Sequence, residues 1–277
     1  IKAQLDAGVS GLIVGGSLGE ASTLTAEELK HLIIYANKEA KGLVPVIAGL
    51  AQQSTRDAIA AAQSAEANGA DGLMVLPPMR YKADDRETVE YYKAVAKSTS
   101  LPIMVYNNPV DYKIEVTLPM FEELGKVKNI ESVKESTRDV SNVTRLKNAF
   151  GDRFKILCGV DTLTLEELAL GADGLVAGLV DAFPAETVAL YRLVKAGHYE
   201  DAVKIYRWFL PLLELDIHPK LVQYIKLAAT EMGISSEYVR APRLSLIGEE
   251  RERVLSIIKK GIATKPALPD YFKLEIA

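Results

Sequence analysis

The chain has 277 residues, 48% of them apolar and 25% charged, enough to bury a sizeable core and unlike either a disordered or a membrane-embedded composition. A net charge of −4 without a basic run excludes nucleic acid as the main partner, and no apolar run is long enough to cross a bilayer. A single cysteine, Cys158, excludes an intrachain disulfide and a multi-cysteine metal cluster. His31, His198 and His218 are scattered and form no HExxH, and neither GxGxxG nor GxxxxGKS/T occurs, so zinc and nucleotide sites have no support. Segment 1–6 (IKAQLD) carries no secretory signature, and a cytoplasmic protein is expected.

In chain order, residues 1–8 read as the end of a helix, so a first strand is expected to be missing from the front. Short β-rich runs follow at 11–16 (GLIVGG), 44–50 (VPVIAGL), 72–77 (GLMVLP), 102–108 (PIMVYNN), 130–136 (IESVKES), 154–160 (FKILCGV) and 174–180 (GLVAGLV). Each is bounded by Gly, Pro or Asn, the mark of buried parallel strands. Helical patterns separate them. Thr25 to Glu28 is a capping box ahead of the stripe Leu29, Leu32, Ile33, Ala36; Ser54 to Asp57 precedes Ala58, Ala61, Ala62, Ala65; Asp84 to Glu87 precedes Val89, Tyr92, Val95, Ala96. Thr117 with Pro119 starts a shorter helix, and Pro184 another. The phrases at 6–11 (DAGVSG), 67–72 (ANGADG) and 170–174 (LGADG) each close a helix on glycine and enter a strand, a repeated unit that points to a barrel or a doubly wound sheet. After Pro184 the chain reads as helices only, at 185–196, 199–215, 220–232 and 249–261. The expected organisation is one structural unit: a core over 1–183, then a last core helix with a helical appendage over 184–277.

In a barrel the chemistry lies where the strands end. The loop 15–20 (GGSLGE) offers backbone amides and the Ser17 hydroxyl to an anion; its plainer reading is an ordinary turn. In the run 102–108, Met104, Tyr106 and Asn108 share one face by alternation; Tyr106 is either a proton relay or a core tyrosine. In the run 130–136, Lys134 shares a face with Ser132 and Ser136. Burying a lysine disfavours its charge, which is how a chain prepares an amine to attack a carbonyl; the alternative is a stem that snorkels to solvent. Tyr106 on the preceding strand favours the nucleophile.

At these residues the chain resembles the dihydrodipicolinate synthase/N-acetylneuraminate lyase family. Residues 11–20 (GLIVGGSLGE) with Glu28 are similar to its first motif, and Tyr106-Asn-Asn-Pro109 followed by Val133-Lys-Glu-Ser136 to its second. Gly159-Val-Asp161 and Lys265-Pro-Ala-Leu-Pro269 extend the likeness nearly end to end. The resemblance implies a TIM (β/α)₈ barrel with a C-terminal α-helical extension. It also implies a homotetramer built as a dimer of dimers, and class I aldolase chemistry with no metal and no cofactor beyond a covalent imine on Lys134. It assigns Tyr106 to proton transfer at the imine, and Ser17 with the amides around Leu18 and Gly19 to a 2-oxo acid carboxylate.

Three positions depart from the synthase pattern. Leu18 stands where a second hydroxyl belongs, which breaks that proton relay. Met79 falls near a tyrosine lent by a neighbouring subunit. Asp111 replaces an arginine that holds a substrate carboxylate. With residues 76–82 (LPPMRYK) and 106–112 (YNNPVDY), these departures resemble a catabolic branch that includes Δ1-pyrroline-4-hydroxy-2-carboxylate deaminases. Asn108, Asp111 and Tyr112 are then candidates to read the substrate's hydroxyl or amine, or plain loop residues bonding their own backbone. The competing expectations are a dihydrodipicolinate synthase-like enzyme, a 2-keto-3-deoxy sugar acid aldolase or dehydratase, and a 2-oxo acid binding protein without turnover.

Overall fold

A computed structural model describes residues 1–78 and 81–276 of the chain. Among the described residues, seven strands lie in one sheet in the order of the sequence: β1 (Leu12–Val14), β2 (Val46–Leu50), β3 (Gly72–Val75), β4 (Ile103–Asn107), β5 (Ile130–Glu135), β6 (Lys155–Cys158) and β7 (Gly174–Leu175). The helices are α1 (Lys2–Ala7), α2 (Ala26–Ala40), α3 (Thr55–Ala67), α4 (Asp85–Lys97), α5 (Pro109–Tyr112), α6 (Leu118–Leu124), α7 (Ser141–Phe150), α8 (Thr164–Ala169), α9 (Pro184–Lys195), α10 (Tyr199–Leu213), α11 (Leu221–Glu231) and α12 (Gly248–Ala263). β1 to β5 pair in parallel. A doubly wound sheet reverses its strand order at a switch point, whereas this order never reverses. The fold is of the TIM (β/α)₈ type, and helices alone follow Pro184 among the described residues.

Contacts within the chain group into two compact units. The first comprises residue 1 with 10–157 and 170–173, and the second 2–9, 158–169 and 174–277. In the first unit Val46, Ala48, Val105 and Val133 are fully buried on the face that alternates with Met74, Met104, Tyr106 and Lys134. Phe121, Phe150 and Phe154 form an edge-to-face cluster with centroids 5.4 to 6.4 Å apart. In the second unit Phe183 and Phe209 are fully buried, and the Trp208 indole donates to the Gly261 carbonyl at 3.0 Å.

The Thr25 capping box forms as expected, and Asp84 with Glu87 forms a second. Thr25 accepts from the Glu28 amide while Glu28 accepts from that of Thr25, and Asp84 and Glu87 do the same. Ser54 caps α3 through the Asp57 amide at 3.1 Å. The run 174–180 is corrected: only Gly174–Leu175 is strand, and the chain turns into a 3-10 helix at Leu179–Asp181. The cause is Asp161, whose buried carboxylate accepts from the amides of Gly178 (3.0 Å) and Leu179 (2.7 Å) and draws the backbone out of the ladder. α5, α7 and α8 are additional to the helices read from the sequence. No helix among the described residues is long and apolar enough to cross a membrane.

Candidate active site

The candidate site is built on the ends of β4 and β5. Their register pairs Ile103 with Ile130, then advances by one residue on β5, so that Met104 faces Ser132 and Tyr106 faces Lys134. Without this bulge Tyr106 would face Val133. Bulges re-aim side chains, and here the extra residue brings the amine beside the phenol. Lys134 Nζ lies 4.2 Å from the centroid of the Tyr106 ring, with Tyr106 buried (6% exposed) and Lys134 half-buried.

The outward neighbours of this pair, Asn107 and Glu135, are both fully buried. Asn107 Oδ1 accepts from the Val116 amide at 2.9 Å, and its Nδ2 donates to the Val116 carbonyl at 3.2 Å and to Glu135 Oε2 at 3.4 Å. Glu135 also accepts from the Thr137 amide (2.7 Å) and from Asn142 Nδ2 (2.8 Å). Burial pushes the Glu135 carboxyl up, against the pull of these hydrogen bonds. This clamp fixes the strand ends that carry Tyr106 and Lys134. The sequence reading missed it, because an Asn before Asn-Pro reads as a turn residue. The alternation that puts Tyr106 and Lys134 inward is the signal that puts Asn107 and Glu135 outward.

Three further candidates lie beside Tyr106. Asn108 is buried; its Nδ2 donates to the Tyr106 phenol oxygen (3.3 Å) and to Asp111 Oδ2 (2.8 Å), while its Oδ1 accepts from the Asp111 amide (3.1 Å). Asp111 is exposed and tethered by Asn108, so the plainer reading of a locally bonded loop residue describes its contacts. Tyr112, the last residue of α5, stands edge-on to Tyr106 with centroids 5.4 Å apart, and its phenol shares a hydrogen bond with the Ser17 hydroxyl. Burial, and then the Tyr106 phenol beside it, push the Tyr112 hydroxyl well above its usual range. Ser17, which had no hydroxyl partner at Leu18, thus has one at Tyr112.

The loop after β1 is tightly folded. Gly15 adopts φ +69°, and a Cβ on Gly49 would stand 2.5 Å from the Gly15 carbonyl oxygen, so only glycine lets the two strand ends approach. The Ala21 amide returns to the Gly16 carbonyl and that of Glu20 to Ser17. Among the described residues, no backbone carbonyl takes the amides of Ser17, Leu18 and Gly19, which leaves three donors for an anion. The buried Ser136 hydroxyl, on the Lys134 face, likewise has no protein partner among the described residues.

Other side chains stay outside this constellation. Cys158 is buried, donates to the Val160 carbonyl at 3.3 Å, and has its thiol pushed up by burial, which makes it a packing residue. His31 and His198 are exposed, and His218 stacks on Tyr224 at 4.4 Å. No group of three His, Cys, Asp or Glu among the described residues is placed to hold a metal. Met79 lies outside the described residues. A cavity of about 290 Å³ lined by Ile47, Leu73, Ile103, Met104 and Ser132 sits at the strand-start end; its largely apolar wall holds no nucleophile poised on an aromatic partner.

A model of the dihydrodipicolinate synthetase family matches residues 1–261. A 4-hydroxy-tetrahydrodipicolinate synthase from Exiguobacterium sibiricum is 37% identical over 250 residues, 89% of this chain and 83% of that protein. One from Aquifex aeolicus is 30% identical over 261 residues, 94% of this chain and 89% of that protein. The crystal structure of dihydrodipicolinate synthase from Aquifex aeolicus is similar with a TM-score of 0.89, at 30% identity, over 94% of this chain and 89% of that one. A Bacillus anthracis dihydrodipicolinate synthase structure gives 0.90 at 28% identity, over 96% and 90%.

Proposed function

The chain belongs to the dihydrodipicolinate synthetase family, and from that premise we propose that it is a Schiff-base lyase whose Lys134 condenses with a small 2-oxo acid or cyclic ketimine carboxylate. The substrate we favour is Δ1-pyrroline-4-hydroxy-2-carboxylate, converted with one water to 2-oxoglutarate semialdehyde and ammonia. The observation that carries the chemistry is the Lys134 amine 4.2 Å from the Tyr106 ring, at the end of paired strands, beside a loop whose Ser17, Leu18 and Gly19 amides no backbone carbonyl takes among the described residues.

The sequence of bonds follows from an amine acting as electron sink. Lys134 attacks C2, and the bond from C2 to the ring nitrogen breaks, leaving an iminium on Lys134 and an amine on C5. The iminium acidifies C3; Tyr106 relays the proton away, and the C4 hydroxyl departs as water. A proton shift from C5 to C3 leaves an enamine at C4–C5, which tautomerises to the C5 imine. One water hydrolyses that imine to the aldehyde and ammonia, and a second releases the 2-oxo group from Lys134. One water is lost and two are consumed. A positioned acid–base group contributes about 10²–10⁴-fold to such a step.

Charge at the distal end supports the deaminase over a synthase. A synthase must hold the carboxylate of a second substrate, and Asp111 would repel it, whereas the ring-opened intermediate presents an amine that a carboxylate attracts. The names of the similar enzymes favour the synthase reading, and one pair of assays separates them. Borohydride with the ketimine or with pyruvate should trap an adduct whose mass maps to Lys134; an unmodified chain would remove the imine. Ammonia release from the hydroxypyrroline carboxylate is then set beside condensation of pyruvate with aspartate semialdehyde, and activity in the second assay alone overturns the deaminase. A homotetramer in the cytoplasm completes the proposal, and light scattering of the purified protein tests the assembly.

A further inference from the structure

We propose that Tyr112 is a relay residue of this site: its phenol joins the Ser17 hydroxyl to the Tyr106 phenol within a single chain and carries protons between Tyr106 and the carboxylate loop. The inference rests on the imine reading of Lys134 and extends it to a residue that acts through Tyr106.

The first observation is the hydrogen bond between Ser17 and Tyr112, which links β1's loop to α5 across 95 positions of sequence. The second is the edge-on contact of the two tyrosine rings, with centroids 5.4 Å apart at 84° and the Tyr106 phenol helping to push the Tyr112 hydroxyl up. The third is Asn108. Its amide is oriented by two partners, the Asp111 amide on its oxygen and Asp111 Oδ2 on its nitrogen, so its nitrogen faces the Tyr106 oxygen as a donor. With that lone pair occupied, the Tyr106 hydrogen is free to point to the neighbouring phenol. The backbone holds the geometry: the Tyr112 amide donates to the Asn108 carbonyl at 3.0 Å, and α5 ends at Lys113 with φ +64°.

A proton wire needs members that donate and accept at once, which hydroxyls do and carboxylates or ammonium groups do not. Burial keeps the Tyr112 hydroxyl protonated, so it has a hydrogen to pass on and a lone pair to receive one. When Tyr106 takes a proton from substrate carbon, its own hydrogen moves to Tyr112, that of Tyr112 to Ser17, and that of Ser17 to solvent or to a departing hydroxide. Every member gains one proton and loses one, and none is left charged. Leu18 has no hydroxyl to serve this path, and Tyr112 supplies one from the same chain.

The experiment uses pyruvate as probe and reads two steps separately: borohydride trapping at Lys134, and exchange of the pyruvate methyl hydrogens with D₂O under saturating pyruvate, followed by NMR. Tyr112→Phe keeps the ring and removes the hydroxyl. It should trap within about 2-fold of the parent while exchange falls about 10–100-fold and its pH profile changes. Ser17→Ala, which also removes a hydroxyl from the carboxylate loop, should slow exchange relative to its own trapping by a similar factor, the double variant should be no slower in that ratio than the slower single one, and Ser17→Thr should recover most of the Ser17→Ala loss. Exchange at the parental rate in Tyr112→Phe, losses that multiply in the double variant, or trapping lost along with exchange each overturn the relay. Absence of trapping in the parent overturns the imine reading instead.

Discussion

Replacing Asn107 by leucine keeps the volume of a fully buried side chain and removes its hydrogen bonds. Two of these satisfy the amide and carbonyl of Val116, itself buried, and a third reaches Glu135 at 3.4 Å. A buried polar group stripped of its partner costs about 1–3 kcal/mol, so two stranded backbone groups cost about 2–6. Added apolar contact offsets about 1 kcal/mol of this, leaving a loss of about 1–5. With an m-value of about 3 kcal/mol/M in urea, the unfolding midpoint should drop by about 0.3–1.7 M at unchanged m. Segment 108–116 carries Asn108 and Tyr112 and is tied to β4 by these bonds, so turnover should fall further than borohydride trapping. Asn107→Asp sharpens the test: it keeps the acceptor for Val116 but sets a second carboxylate beside Glu135, and it should lose more stability at pH 7 than at pH 5. A leucine variant whose midpoint stays within about 0.2 M of the parent would refute the clamp as a source of stability.

Three further outcomes are expected. Tyr106→Phe should still trap pyruvate on Lys134 but lose about 10²–10⁴-fold in turnover, read from steady-state rates beside intact mass. Glu135 holds its proton more tightly folded than unfolded, so its contribution to stability falls as pH rises from the ordinary carboxylate value through its raised one; Glu135→Gln should flatten that fall, seen as a parent-minus-variant difference in urea midpoint between about pH 4 and 7. Thr25→Ala should cost about 1 kcal/mol by removing the cap that accepts from the Glu28 amide, measured by urea unfolding, with trapping at Lys134 unaffected.

Much of this was legible from residues. Short β-rich runs bounded by glycine, proline or asparagine located β1 to β6, because buried parallel strands carry apolar residues on both faces. Capping boxes located α2 and α4 because that motif is local. The pairing of Tyr106 with Lys134 was legible only as a shared inward face. The register that makes them neighbours depends on a bulge between Ile103 and Met104, and nothing in the run 130–136 marks which residue is extra. α7 carries its stripe on Val143 and Leu146 within a polar segment of weak helix formers, too faint to stand out. β7 was overextended because its brevity is imposed by Asp161, a contact 17 residues away. The bond from Ser17 to Tyr112 is longer-range still, and chain order gives no sign of it.

Alternation makes the clamp and the site two sides of one arrangement. At the ends of β4 and β5, consecutive residues point oppositely: Tyr106 and Lys134 inward, Asn107 and Glu135 into the packed layer outside. A slip of one residue on β5 would exchange their environments, placing an ammonium among apolar side chains and a carboxylate beside the phenol. Burying an unpaired ammonium costs several kcal/mol, and a carboxylate cannot form an imine. The hydrogen bonds of Asn107 and Glu135 therefore oppose the slip energetically while Lys134 gains its chemistry from the same register. In the proposed reading, selecting the substrate falls to Asp111, Tyr112 and the loop at Ser17, which lie beyond the strand ends rather than in the paired ladder that sets the amine against the phenol.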